Sequence, residues 1–216
     1  MSSQAAVDCN ALEATTSIEE ITDNEHNRDT LRWLQNDELP QLWLCNPDQA
    51  TGGDYELGSS RELEWLGHFA KKSTCLEGVG ILGDDTFGNC SRHSVDRFLD
   101  DLGKCNHIKK MRFFRTNLAG IICKLGPAMK SNNFTHFVVE ECHLGVPEAT
   151  FLFNTFRVSN SLEELCIDYE EEEGVLVNLN DGDMAGCIPS LAACTSMRSL
   201  TLNYLNLRFR RQPCVQ

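Results

Sequence analysis

Positive charge is scarce in this 216-residue sequence, and long apolar runs are missing from it. There are 19 Lys and Arg against 32 Asp and Glu, which gives a formal net charge of −13. Phosphate contacts need a positive surface, so this balance argues against general binding to nucleic acid or anionic membranes. No stretch approaches the roughly 18 apolar residues of a membrane-spanning helix. We therefore expect neither a nucleic-acid nor a membrane partner.

Paired cysteine motifs and a signal peptide are also missing. None of the 11 Cys forms a C-x-x-C pair, which excludes a zinc ribbon and a thioredoxin-type motif. Residues 1–20 have neither a basic start nor an apolar run, so no signal peptide is expected. These features predict free thiols in a reducing compartment, cytoplasmic or nuclear. We predict no cofactor and no metal site.

What the sequence does contain is a repeated apolar pattern. It starts at Ile108 and Phe134, and begins again at Leu162. If the first apolar residue is position 1, apolar residues also occupy positions 4 and 6 of all three copies and position 11 of the first two, and position 9 of the second copy is Cys142. Positions 4 and 6 point to the same side of a short strand. Each copy therefore predicts a strand with one apolar face.

A helix is predicted before each of these strands. Apolar residues lie 13, 9 and 6 positions before position 1, and steps of four and three mark one face of a helix. These sets are Val95, Leu99, Leu102; Ile121, Leu125, Ala128; Ala149, Phe153, Phe156; and Met184, Ile188, Leu191. Small polar pairs such as Ser73–Thr74 and Ser159–Asn160 come just before position 1, where side chains that bond backbone groups suit a turn.

The spacing resembles the L-x-x-L-x-L-x-x-N/C-x-L pattern of leucine-rich repeat proteins, in their ribonuclease-inhibitor-like class. The resemblance covers about residues 39–207. It implies an α/β solenoid, a short horseshoe with parallel strands on the concave face and helices on the convex face. About six irregular repeats are expected, starting at Leu39, Leu76, Ile108, Phe134, Leu162 and Met197. Position 9 is Asn in none of the six, so the loops after the strands should vary.

Three segments are predicted along the chain. Residues 1–27, rich in Ser, Thr, Asp and Glu, are expected to be a mobile tail. The solenoid follows at 28–207, beginning with a capping helix whose N-cap would be Asp29, and with a long loop at 46–58. A C-terminal tail, 208–216, carries Arg and Pro residues of the kind that guard an exposed sheet edge.

Two motifs suggest ligands and are interpreted structurally. Gly78-Val-Gly80-Ile-Leu-Gly83 matches G-x-G-x-x-G, but a dinucleotide site needs its glycines to open a helix. Here they alternate with apolar residues inside a strand, and we expect them to leave a bare patch on the inner face. The acidic loop 168–183 lacks EF-hand spacing, so a solvated loop is favoured over a calcium site.

Charged and aromatic residues are predicted to align in rows on the inner face, because positions 3, 5, 7 and 8 of successive strands are neighbours. Arg and Tyr are enriched in binding hot spots. The predicted protein-binding residues are Lys110, Arg112, Phe114, Arg115, Glu140, Glu141, Asp168, Tyr169 and Tyr204. The alternative is that the charges only satisfy each other, Arg115 with Glu141 and Lys110 with Glu164 by way of His136, at about 0.2–1 kcal/mol a pair.

Three functions are compatible with these features. The favoured one is a scaffold that binds a protein partner through the concave face. The second is a regulator of a specific enzyme, either an inhibitor or a substrate adaptor. The third is an enzyme of unknown class, and for it we predict no catalytic residues, because a thin curved stack offers no deep, dry cavity. We expect a monomer, with a dimer through the C-terminal sheet edge as the alternative.

Overall fold

A single parallel sheet runs through the protein. The computed structural model describes residues 9–47, 53–131, 133–142, 144–168 and 181–202. Within these residues the strand order is β2-β1-β3-β4-β5-β6-β7, and all neighbours are parallel. The strands are β1 Gln41–Cys45, β2 Tyr55–Glu56, β3 Gly78–Leu82, β4 Lys110–Phe114, β5 His136–Glu140, β6 Glu164–Asp168 and β7 Ser199–Leu202.

One layer of helices covers one face of this sheet. The helices are α1 Cys9–Leu12, α2 Ile18–Ile21, α3 Glu25–Gln35, α4 Ser60–Lys72, α5 Arg92–Gly103, α6 Ile121–Met129, α7 Val146–Ser159 and α8 Asp181–Ala192. From α4 to α8, each helix packs against the next along the chain. A helix thus follows each strand from β3 to β6, and the predicted α/β class is confirmed.

The core lies between the helix layer and alternate strand residues. Phe113 of β4 and Phe137 of β5 are buried, with ring centroids 5.6 Å apart, and Phe156 of α7 packs on Phe137 at 5.3 Å. Cys142 and Cys187 are buried as well. Because the side-chain period of a strand is two, the intervening residues reach the opposite face of the sheet.

The predicted apolar face of α8 is wrong at Ile188. Ile188 is 56% exposed, whereas Cys187 and Leu191 are buried. Ser190 is also buried and donates its hydroxyl hydrogen to Asn154 Oδ1 of α7, at 3.2 Å. This polar contact turns Ser190 toward α7 and leaves Ile188 on the outer surface. The side chain of Met184 lies outside the described part of the chain.

The N-terminal residues from Cys9 onward are folded, which corrects the prediction of a mobile tail over 1–27. Cys9 of α1, together with Ile18 and Ile21 of α2, is buried in the core. Glu13 also anchors this segment, because its Oε2 lies 3.1 Å from His68 Nε2 of α4 and contacts Lys72 Nζ. The residues that make these contacts are far apart in sequence, so the polar composition of the segment does not indicate them. Residues 1–8 lie outside the described residues.

The capping helix and the following loop also differ from expectation. Asn24, not Asp29, is the N-cap of α3, and its Oδ1 accepts hydrogen bonds from the N–H groups of His26 and Asn27. The predicted 46–58 loop contains β2. Asn27 holds this strand by donating to the carbonyl of Glu56 at 2.7 Å and accepting from its N–H at 3.0 Å. One buried amide side chain thus acts like a neighbouring strand.

The glycines of β3 have the predicted structural role, but they leave no bare patch. All five residues of β3 are buried. A Cβ on Gly80 would lie 2.1 Å from Cε3 of Trp43, the residue opposite it on β1. The Trp43 indole therefore lies over Gly80, and the glycine is needed because the ring approaches the backbone.

Candidate functional site

We call the sheet face opposite the helix layer the open face. Its rows follow from the strand register, in which Lys110, His136 and Glu164 are successive neighbours. A second row joins Arg112, Val138 and Cys166, and a third joins Phe114, Glu140 and Asp168. All nine residues are exposed or partly exposed. Seven of the nine predicted site residues lie on β4–β6 or directly after them, whereas Tyr169 and Tyr204 lie outside the described residues.

Two ion pairs join β4 to β5 on this face. Arg112 Nε donates to Glu140 Oε2 at 2.7 Å, and Arg115 Nε donates to Glu141 Oε2. The Arg115–Glu141 contact is the one expected from the sequence, whereas Arg112–Glu140 is diagonal in the register and was not anticipated. His136 Nε2 lies 3.7 Å from Glu164 Oε2, but the described residues include no ion pair of Lys110. Among the described residues, the charges of the open face are therefore only partly satisfied.

The backbone turns in the left-handed region directly after β3, β4 and β5. Gly83, Arg115 and Glu141 have φ of 117°, 47° and 52°. Their N–H groups donate to the carbonyls of Phe114 at 2.8 Å, Glu140 at 3.0 Å and Asp168 at 2.8 Å, respectively. The turn thus extends the parallel ladder by one bond. Gly83 is the one sequence signal for it, because glycine is the residue that adopts this conformation without strain.

Buried polar groups hold these turns from the core side. Thr116 donates its hydroxyl hydrogen to the carbonyls of Ile81 at 3.1 Å and Phe114 at 2.9 Å. The Thr116 N–H donates to Cys142 Sγ at 3.3 Å, and that thiol donates to the carbonyl of Glu140, also at 3.3 Å. Burial raises the pKa of Cys142 to about 12, so it stays a thiol and can donate. Both residues are at position 9 of their repeats, where the family pattern has Asn or Cys.

A shallow hollow lies where the three strands end. Its volume is about 100 Å³, and it is lined by Arg112, Phe114, Glu140, Glu141 and Asp168. All five are predicted site residues. Next to it, Arg115 Cζ lies 5.1 Å from the centroid of the Phe114 ring, in cation–π contact. Lys110 is two residues away from Arg112 on β4, toward the other end of the strand.

A larger hollow, of about 420 Å³, lies in the helix layer between α4 and α5. Its charged groups largely satisfy each other. Asp101 pairs with Lys71 at 3.4 Å and with Lys104 at 3.1 Å, while Asp96 and Asp100 pair with Lys124 at 3.5 and 3.1 Å. Sequence patterns did not indicate this hollow, and most of its charged groups are already paired.

The described residues offer neither a cluster of metal ligands nor a membrane-spanning helix. They contain no group of three or more His, Cys, Asp or Glu that could hold a metal ion. No helix among them is long and apolar enough to cross a membrane.

Comparison with known proteins gives only distant likenesses. No protein family matches the chain, and no curated protein does. Among solved structures, the chain is similar to the C-terminal domain of tropomodulin from Caenorhabditis elegans, with 10% identity, a TM-score of 0.45, and 83% of this chain and 93% of that one covered. It is also similar to actin-binding site 2 of leiomodin-1, with 13% identity, a TM-score of 0.49, and 79% and 90% covered. At these identities and TM-scores, neither likeness bears on what this chain binds.

Proposed function

We propose that this chain is a protein-interaction module whose open face binds a partner protein. The observation that carries the proposal is the hollow at the ends of β4, β5 and β6, where five charged and aromatic side chains from adjacent strands converge. The leucine-rich repeat resemblance implies that this face is the concave one, and an extended concave surface suits a protein partner.

The energetics of the hollow favour binding over a purely structural role. The side chains of Arg112 and Arg115 are 50% and 47% exposed, and ion pairs that are this accessible contribute about 0–1 kcal/mol. Left-handed backbone at a residue other than glycine costs about 1–3 kcal/mol. The Arg115–Glu141 pair therefore does not offset the backbone strain of its own two residues. A binding role explains why Arg and Glu stand where Gly83 stands in the preceding unit.

The size of the hollow argues against a small-molecule site. Pockets for such ligands usually enclose about 300–1,000 Å³, whereas this hollow has about 100 Å³ and lies on an open surface. A side chain of a larger partner fits it better than a free metabolite. A regulator that inhibits an enzyme or delivers its substrate would use the same face, and the identity of the partner would separate that role from a scaffold.

Site-specific photo-crosslinking tests this proposal. Val138 lies between Arg112 and Cys166 on the open face, and Val158 of α7 is 69% exposed in the helix layer. Each would be replaced by p-benzoylphenylalanine, and the variants would be irradiated in cell extract after circular dichroism had confirmed folding. We expect the Val138 variant to capture a protein that excess wild-type chain displaces, and the Val158 variant not to capture it.

The residues of the hollow provide the specificity control. The substitutions Arg112→Ala and Phe114→Ala, added to the Val138 variant, should abolish the capture while the circular dichroism spectrum stays the same. Equal capture by the Val138 and Val158 variants, or capture by the Val158 variant alone, would contradict binding through the open face.

A further inference from the structure

We propose that the partner inserts an arginine side chain into the hollow, between the Phe114 ring and the Asp168 carboxylate; this inference rests on the proposed function and specifies its partner. The choice of arginine follows from the charge of the hollow, its aromatic wall and its size.

Among the described residues, the hollow has one more carboxylate than it has arginine partners. Glu140, Glu141 and Asp168 line it with three carboxylates. Arg112 pairs with the first and Arg115 with the second. The Asp168 carboxylate has no hydrogen bond or ion pair among the residues that the structure describes, although it is partly buried. A cation from outside would complete this alternating arrangement of charges, and a carboxylate from outside would be repelled by it.

The aromatic wall favours a guanidinium over an ammonium group. Phe114 is partly buried, and Cζ of the Arg115 guanidinium lies 5.1 Å from the centroid of its ring. A planar guanidinium stacks on aromatic rings and donates to a carboxylate through two parallel N–H groups, whereas an ammonium group is a compact, strongly hydrated point charge. Asp168 and Glu140 are neighbours in the register, so one guanidinium placed between them has acceptors on both strands.

The whole chain supports the same choice of partner. Its formal net charge of −13 attracts basic proteins over long distances and repels acidic ones. The hollow has room for a guanidinium group but not for a whole ligand. The long-range attraction of the whole chain and the excess of carboxylates in the hollow therefore both favour a basic partner.

Titration with small probes, followed by nuclear magnetic resonance, tests the inference. N-acetyl-arginine amide would be compared with N-acetyl-citrulline amide, which has nearly the same shape but no charge, in about 150 mM salt so that long-range attraction is screened. We expect arginine, and not citrulline, to cause saturable shifts of the Phe114, Val138 and Asp168 signals. Asp168→Asn should weaken the arginine affinity about fivefold, as the loss of one accessible ion pair predicts.

Asp100→Asn is the matched control. Asp100 is exposed on α5, in the helix layer, and its substitution removes the same charge while Lys124 keeps its contact with Asp96. This variant should bind the arginine probe like the wild type. Phe114→Leu keeps an apolar wall without the aromatic ring, and should weaken the binding of arginine as well.

Two results would overturn the inference. One is an equal response to arginine and citrulline, and the other is an equal effect of Asp168→Asn and Asp100→Asn. If the Val138 variant captures a partner but arginine does not bind, the interaction module stands and the arginine assignment fails. If arginine binds in an Asp168-dependent manner and nothing is captured, the preference of the hollow stands and the proposed function fails.

Discussion

Arg115 and Glu141 carry the left-handed backbone of the candidate site, with φ of 47° and 52°. We expect the free energy of unfolding to be about 1 kcal/mol higher for Arg115→Gly than for Arg115→Ala, because only glycine adopts this conformation without strain. Both variants lose the pair with Glu141 and should bind the partner more weakly. Urea unfolding followed by circular dichroism measures the difference.

A glycine variant that is no more stable than the alanine variant would refute the argument from backbone strain.

The residues of this site could be predicted from strand alternation, since Arg112, Phe114 and Asp168 occupy outward positions of their strands. The left-handed turn could not be predicted, because Arg and Glu rarely adopt it and only Gly83 indicates it. The diagonal Arg112–Glu140 contact depends on side-chain conformation, which residue spacing does not determine.

At the scale of elements, β1 and β3 are matched through Trp43 and Gly80. Gly80→Ala places a Cβ within 2.1 Å of Trp43 Cε3, unless the indole moves. Forcing extra volume into a packed site costs about 1–3 kcal/mol, and we expect Gly80→Ala to lower the free energy of unfolding by that amount. Trp43→Leu makes room for the new methyl group, so Gly80→Ala should cost clearly less in that background.

A double-mutant cycle in urea isolates this coupling. Equal costs of Gly80→Ala with Trp43 and with Leu at position 43 would show that the glycine serves another purpose.

Alternation and glycine content predicted that β3 is a strand, and not the opening of a nucleotide-binding loop. The fit of Trp43 over Gly80 could not be predicted, because it depends on the pairing of two strands that are far apart in sequence.

At the scale of the whole molecule, the repeated pattern predicted the α/β class and most of the helix–sheet core. It failed where contacts distant in sequence outweigh local composition. The segment containing Cys9 and Ile18 is polar overall, yet these two residues are buried. The two residues of β2 are held by the Asn27 side chain, and the orientation of Ile188 follows from the Ser190–Asn154 bond. None of these contacts is periodic.

Polar side chains also link one strand–helix unit to the next at the turns between them. Asp37, in left-handed conformation, accepts hydrogen bonds from the hydroxyls of Ser73 and Thr74 and from the N–H groups of Thr74 and Cys75. Asn160 has a similar backbone conformation, and its Oδ1 accepts from the Thr195 N–H at 2.9 Å. The stack thus uses a carboxylate at one junction and an amide at another.

This difference gives the stability of the molecule a predictable dependence on pH. Hydrogen bonds to its carboxylate hold the pKa of Asp37 well below its usual range. The hydroxyl of Ser73 has the largest effect and the hydroxyl of Thr74 the next largest. A carboxyl group whose pKa is lower in the folded state than in the unfolded state stabilises the fold. This contribution is fully present above the unfolded-state pKa of about 3.9, and it is lost as the pH falls from there through the folded-state pKa. We expect Asp37→Asn to lower the urea midpoint at pH 7, and this deficit to shrink from about pH 4 downward.

The reciprocal substitution, Asn160→Asp, places a carboxylate where Thr195 already donates. It should add a stabilising contribution that is present at pH 7 and disappears in acid, so that the two variants change the pH profile in opposite directions. Urea midpoints measured from pH 7 to pH 3 test both. If the deficit of Asp37→Asn is the same at every pH, the carboxylate charge contributes nothing at this junction, and the shape of the side chain alone holds the units together.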